Sequence, residues 1–478
     1  FRNPFDGSVI NRKYYKINNI ASNLPFIKQE DLKKLNPEIQ NKINKLLNEK
    51  FSKKDKLNEK SDLYAYLPFT FWDILSENGR LGIIVSNSWL GTDWGEKFKK
   101  FLTRFYKLDY VLTSSTGRWF QNADVVTNIV ILTKREFLID KLPNTEKTKF
   151  ITISHDFLDD SNHENIREIY QNIITNTLDK RFKVEEYSTE EILSEPLNWN
   201  TLFSDISWIK QINKKLIFCS TLFEIKRGAR RGWDDMFYPS SNHGIEQDFI
   251  KPVLKSSRDI DSLTSIAESE AFCCSLSIEE LSQKGNTGAI AWINKFKYGF
   301  NEVGKPLPEV LKIKNGYWYT MHDTEMADFV TSVNPDKRIF ISRLNEKSFV
   351  NQRLIRFTSL KSDTDLELSH ALLNSLMGIF FIEALGFGRG LGALDLSSNR
   401  MKKYFRMLNP SLLTDSQIKE IKNKFALFKN RDVQNIRIEL NDSIRKDFDL
   451  TVLKAYEIEH LYDSIKSSFL FLFNMRNK

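Results

Sequence analysis

The chain has 478 residues, 41% of them hydrophobic and 13% aromatic, which is too long for one simple core and apolar enough to bury two or three. Lys and Arg outnumber Asp and Glu by 70 to 62, and the net charge of +8 suits a nucleic-acid partner without demonstrating one. No apolar run approaches the ~20 residues needed to span a bilayer, three cysteines make no disulfide framework, and no His/Cys spacing suggests zinc, so the expected setting is a reducing cytoplasm, with no membrane and no metal.

In chain order, residues 15–22 (YKINNIAS) read as a short strand ending in a turn, and 31–60 as a polar loop containing a helix. From Ser61, SDLYAYLPFTFWDIL carries apolar residues at helical spacing, and SENGR follows as a turn in which Gly79 stops the helix. LGIIVSNS is a buried strand, DWGEKFKKFLTRF an amphipathic helix, and KLDYVLTSS and VTNIVILTK are two further strands. This alternation predicts an α/β domain with a largely parallel sheet over residues 1–134. Residues 135–200 read as a charged connector. Residues 201–413 read as a mixed α+β domain of short strands broken by Gly and Pro, with ELSHALLNSLMGIFFIEAL as a buried helix, and 414–478 as charged amphipathic helices.

The chemistry is expected at Asn23-Leu24-Pro25-Phe26, where a loop leaves a strand. In α/β sheets ligands bind at the carboxyl ends of strands. An amide oxygen and a neighbouring carbonyl can accept both hydrogens of an exocyclic amine, and a ring can stack on a base taken out of its duplex. Four residues by themselves equally describe a strand-to-helix turn with a packed Phe, and the context separates the two. SNLPFIKQEDL resembles the GNPPFxRQEDL stretch of large N6-adenine DNA methyltransferases, those of type IIG and related restriction-modification and phage-defence systems. SDLYAYLPFTFWDILSENGRLGIIVSNSWLGTDWGEKFKKFL and RWFQNADVVTNIVILTK resemble the next two blocks of that family, in the same order.

The resemblance implies a partial Rossmann-like methyltransferase sheet, double-stranded DNA as partner, and methyl transfer from S-adenosylmethionine to the N6 of a flipped adenine. It gives Asn23 one hydrogen bond from N6, the Leu24 carbonyl the second, Pro25 the stiffness of the loop and Phe26 the stack on the base. Phe120 would pack on the other face, with Trp119 beside it as the alternative. Leu24 replaces the family's first Pro. It keeps the carbonyl but loses the fixed φ, a loosening worth roughly 0.5–1 kcal/mol.

The family's cofactor loop is Gly-containing and precedes the catalytic loop. Gly7 is the one glycine before Asn23, and Asp6 is the candidate contact to the cofactor's adenine. Because the chain opens on Phe1, the expectation is a fragment or split subunit, with the cofactor-binding half or a nuclease on a separate polypeptide. No acidic-Lys nuclease arrangement is evident. The alternative is a DNA-binding subunit that keeps the scaffold without turnover.

Further on, LFEIKRGARRGWDDMFYPS (222–240) sets Arg227, Arg230 and Arg231 among glycines with Trp233 nearby, and FIKPVLKSSRDI (249–260) adds Lys251, Lys255 and Arg258. Arg reads guanine edges and phosphates, and Gly lets backbone approach a duplex. The first stretch resembles the start of the family's target recognition domain, the second the element that usually follows it, and GFGRGLGALDLSSNRMKKYFRMLNPSLL (386–413), with Arg389, resembles its close. The division of these cations between bases and phosphates is not readable at this stage.

Overall fold

A computed structural model of the chain describes residues 6, 8, 15–28, 30–32, 38–50, 56–115, 118–120, 125–138, 145–154, 163–229, 231–256, 258, 260–388 and 392–477. Gly7, Arg230 and Arg389 lie outside the described residues. Two compact units emerge. One comprises Phe1–Ile206, Gly386–Gly392 and Leu470–Lys478, the other Ser207–Leu385 and Ala393–Phe469.

The first unit is built on six strands, β1 (Ile17–Asn23), β2 (Leu75–Ser86), β3 (Tyr106–Ser114), β4 (Thr127–Lys134), β5 (Lys147–Ile153) and β6 (Phe182–Ser188). They lie in the order β1-β2-β4-β3-β5-β6. The pairs β1/β2 and β3/β5 are parallel, and β4 runs antiparallel to both its neighbours, as β6 does to β5. The connections explain this. A parallel crossover needs a dozen or more residues and usually a helix. Helix α1 (Asp93–Phe105) supplies it between β2 and β3. The crossover leaves a gap one strand wide, which β4 fills from the opposite direction.

Helix α1 starts with Thr92 Oγ1 accepting from the Gly95 N–H at 3.3 Å, carries Asp93 and Glu96 in its first turn and Arg104 in its last, and so complements its dipole at both ends. Gly95 is required by close approach, since a Cβ there would lie 2.1 Å from the Trp89 carbonyl oxygen. The helix buries Phe98, Phe101, Leu102 and Phe105. Phe69 meets Phe105 edge-on at 4.9 Å between centroids, and Trp89 meets Trp199 at 5.6 Å.

Three expectations are corrected in this unit. The sheet is not largely parallel, since β2/β4, β3/β4 and β5/β6, three of its five neighbouring pairs, are antiparallel. SENG does not end a helix: the preceding helix spans Leu67–Ile74, and residues 76–79 form a bulge inside β2. The β1–β2 register jumps from Ile17↔Leu75 to Asn19↔Arg80, and Asn78 sits at φ +57. The bulge absorbs the turn residues without breaking the strand. The segment 135–200 is more than a connector, because β5 and β6 complete the sheet and Ile151 and Ile153 pack against Ile169 and Ile173. In β5 Lys147 and Lys149 alternate with the buried Thr148 and Phe150, and β6 is a partly buried edge strand carrying Lys183, Glu185 and Glu186, so polar composition masks both strands.

The second unit holds a seven-stranded mixed sheet. Its strands are β7 (Phe223–Arg227), β8 (Ile250–Leu254), β9 (Thr264–Ser265), β10 (Ser269–Phe272), β11 (Ala327–Ser332), β12 (Ser342–Val350) and β13 (Leu354–Ser359). The path runs β10-β8-β12-β11-β13-β7, with β9 on β12. The apolar stretch 366–385 is two buried helices, Leu366–Asn374 and Leu376–Leu385, bent by 65° about Ser375. Among the described residues no single helix is long and apolar enough to cross a membrane. Helices Asp415–Ala426 and Ser443–Ala455 follow as expected. The fold is therefore a partial α/β sheet followed by a mixed α+β unit and C-terminal helices.

Candidate active site

Asn23 is the last residue of β1 and pairs with Ile84 of β2, so it stands at the carboxyl end of two parallel strands, where such sheets bind ligands. Its side chain is exposed and makes no hydrogen bond among the described residues. Leu24 is 2% exposed, and its N–H donates to the Ile84 carbonyl at 3.1 Å. Proline could not make that bond. The residue that departs from the family pattern thus extends the β1–β2 ladder and adds an apolar anchor, so the loss of a fixed φ is offset by two other restraints. At the other end of the loop, the Leu63 N–H donates to the Ile27 carbonyl at 3.0 Å. The segment 24–27 is tied down on both sides, with Pro25 exposed between the ties.

Phe26 and Phe120, 94 positions apart in the chain, come together with ring centroids 6.3 Å apart and planes tilted by 58°. Both rings are partly buried. The two rings pack against each other in a tilted pair. Trp119 is also partly buried, and its indole N–H is bonded to no described atom.

Below the loop lies a hydroxyl cluster that the motif search did not single out. Tyr64 OH and Ser88 Oγ are 2.8 Å apart, Ser86 Oγ is 2.8 Å from Ser88 Oγ, and Ser88 Oγ donates to Asp62 Oδ2 at 3.1 Å. Burial, with the Asp62 charge adding to it, pushes the Tyr64 phenol far above its usual range, so it remains a proton donor at any working pH. The cluster pins the short helical turn Asn87–Leu90 beside the end of β1. Its signal in the sequence is slight, because Ser and Tyr near a strand end are ordinary.

The described residues do not assemble a cradle for S-adenosylmethionine. Asp6 is exposed, and hydrogen bonds from the Ser8 hydroxyl and from the Ser8 N–H, the latter at 2.9 Å, hold its pKa below the usual range.

In the second unit the predicted cations separate. Arg227 is exposed at the end of β7, and its Nε donates to the Gln352 carbonyl at 2.6 Å. Arg231 turns inward. Its Nη2 donates to the carbonyls of Trp318 (2.8 Å) and Leu311 (3.2 Å), and its guanidinium lies 4.6 Å over the Phe237 ring. Burial lowers its pKa, and the residue braces the fold where a surface cation was expected. Trp233 is half-buried against the apolar core of this unit. Lys251 is half-buried on β8, while Lys255 is exposed 5.4 Å over the Tyr238 ring. Arg258 is exposed and lines a cleft of about 320 Å³ with Lys337 and Arg338.

Residues 10–120, which contain β1, the loop and Phe120, match the family model of the Eco57I restriction-modification methylase. The chain is similar to the type II methyltransferase M.AccI of Acinetobacter calcoaceticus, 21% identical over 451 residues, covering 90% of this chain and 74% of the relative. Among solved structures it is similar to the type IIL restriction-modification enzyme MmeI in complex with DNA, with a TM-score of 0.51, 12% identity and coverage of 96% of this chain and 56% of that one. The type IIG restriction endonuclease BpuSI matches with a TM-score of 0.41 and 13% identity over 97% of this chain and 54% of that one. The chain spans about half the length of these solved structures. The resemblance to restriction-modification methyltransferases drawn from the sequence is borne out.

Proposed function

We propose that the chain is the catalytic-loop and target-recognition part of a site-specific DNA adenine N6-methyltransferase of a restriction-modification or phage-defence system. The observation that carries this reading is the convergence of Asn23, at the end of β1, with the Phe26–Phe120 pair. A flipped adenine would stack between the rings, and its N6 amine would donate to the Asn23 amide oxygen and the Leu24 carbonyl. That geometry orients the amine without deprotonating it, so orientation carries the rate. S-adenosylmethionine is the methyl donor in this reading, and duplex DNA is the partner, bound through the second unit. In this reading catalysis belongs to residues 1–134 and target recognition to residues 201–413.

The test is transfer of labelled methyl groups from S-adenosylmethionine to duplex DNA, by the chain and by the chain with the polypeptide encoded upstream. Label on adenine N6 at one sequence supports the reading. Label on cytosine would overturn the adenine assignment. DNA binding with no label in either preparation would favour the silent DNA-binding subunit.

A further inference from the structure

The second unit carries a knot of backbone that no motif marks. The turn Asn351–Arg353 joins β12 to β13, and three other segments, at 227–229, 254 and 333, are tied to it or to its flanking residues. The Ala229 N–H donates to the Val350 carbonyl (2.8 Å), Gly228 to Leu354 (2.9 Å), Asn351 to Leu254 (3.0 Å) and Val333 to Arg353 (3.0 Å). Arg227 Nε closes on the Gln352 carbonyl, and Asn351 Oδ1 accepts from the Arg353 N–H at 3.0 Å. The packing admits no side chain at Gly228, where a Cβ would lie 2.2 Å from the Asn351 oxygen. Gly228 is thus the close-approach glycine of the basic stretch, and what approaches it is the protein's own turn.

This rigid platform presents the partly exposed Gln352 and the exposed Arg353 beside an open cleft of about 400 Å³. Asp234, Asp235, Glu302 and Asn351 line the cleft with Gln352, and the one lining cation, Arg231, has its Nη2 held by the carbonyls of Trp318 and Leu311. Carboxylates repel phosphates, so the cleft is unsuited to the DNA backbone. Amides and carboxylates together match the major-groove edges of bases that carry exocyclic amines, Gln pairing with adenine N6 and N7 and Asp accepting from cytosine N4. Arg227 has one donor committed to holding the turn, which makes it a positioning residue for Gln352.

We propose that the Asn351–Arg353 turn reads one base pair of the target in the major groove, with Gln352 contacting the base edge. This rests on the DNA-modifying function proposed above. The full chain is incubated with duplexes randomised over a central window, and the retained DNA is sequenced for the wild type, Gln352→Glu and Gln352→Ala, each checked for an unchanged melting temperature. Gln352→Glu is nearly isosteric at a partly exposed position, and Gln352→Ala removes the head group, so a folding defect in one leaves the other.

The expected result is one motif position at which Gln352→Ala relaxes the wild-type preference about tenfold and Gln352→Glu moves it toward cytosine, all other positions being unchanged. An unchanged motif in a folded variant overturns the inference while leaving the proposed function intact. A wild-type chain that enriches no motif overturns both.

Discussion

In the first unit four consecutive residues at the end of one strand carry the proposed chemistry, and the fold has only to hold that loop still. In the second unit the proposed reading surface is a turn held by the ends of β7, β8, β11, β12 and β13, segments distant from one another in the chain. The first arrangement suits a reaction that is the same whatever the recognition sequence. The second suits a surface whose side chains can be exchanged on a fixed backbone knot. Arg231 marks the boundary: it lies in the most basic stretch of the chain, yet its head group is spent on the carbonyls of Trp318 and Leu311.

Four measurements would break or sharpen this contrast. The largest effect is expected at Asn23. Asn23→Ala removes a preorganised acceptor and should lower methyl transfer by about 100- to 1,000-fold while DNA binding is retained. Loss of binding in parallel would mean that the loop is also a docking element. Next come the rings. Phe120→Ala and Phe26→Ala should each weaken capture of an extrahelical base by about 1–3 kcal/mol, read as fluorescence of 2-aminopurine at the target position. An effect at Phe26 without one at Phe120 would return Phe120 to a packing role.

Leu24→Pro, which restores the family's residue, separates stiffness from anchoring. It removes the donor to Ile84 and a buried side chain, so stability should fall by about 1–3 kcal/mol in urea titration. A rise in both stability and activity would show that the ladder bond is dispensable.

The smallest effect per step belongs to the interior of the second unit. His370 is buried, donates to the Ile341 carbonyl at 3.0 Å and stacks on Phe329, and burial pushes its pKa down to about 3. The unfolded chain protonates this imidazole near 6.5, so it is the unfolded state that gains a proton on acidification. Its contribution is whole above pH ~6.5 and declines as pH falls toward 3, by up to about 1.4 kcal/mol per unit. His370→Gln should flatten that part of the pH–stability curve. An unchanged slope would place the acid sensitivity elsewhere.

Local pattern made much of the first unit legible. β1, β2, β3, β4 and α1 all fall within a few residues of their expected places, because alternation and helical spacing report burial directly. The Asn23–Phe26 motif was legible because its residues are adjacent in the chain. Two features escaped for different reasons. The bulge at 76–79 reads as a turn until the strand is seen to resume on both sides of it. β5 and β6 are polar on one face, and half-buried strands with Lys and Glu look like linkers until partners are known.

Composition and order of residues were enough to determine a loop bearing Asn23 and Phe26, the strand beneath it and the class of chemistry it resembles. What the Leu at position 24 does, and which ring opposes Phe26, were decided by tertiary structure. So were the commitment of Arg231 to the interior and the exposure of Gln352 on a turn. The physical reason is that propensity and periodicity act over a few residues, whereas a hydrogen-bond partner, a ring contact or a buried cation depends on atoms brought from 60 to 125 positions away.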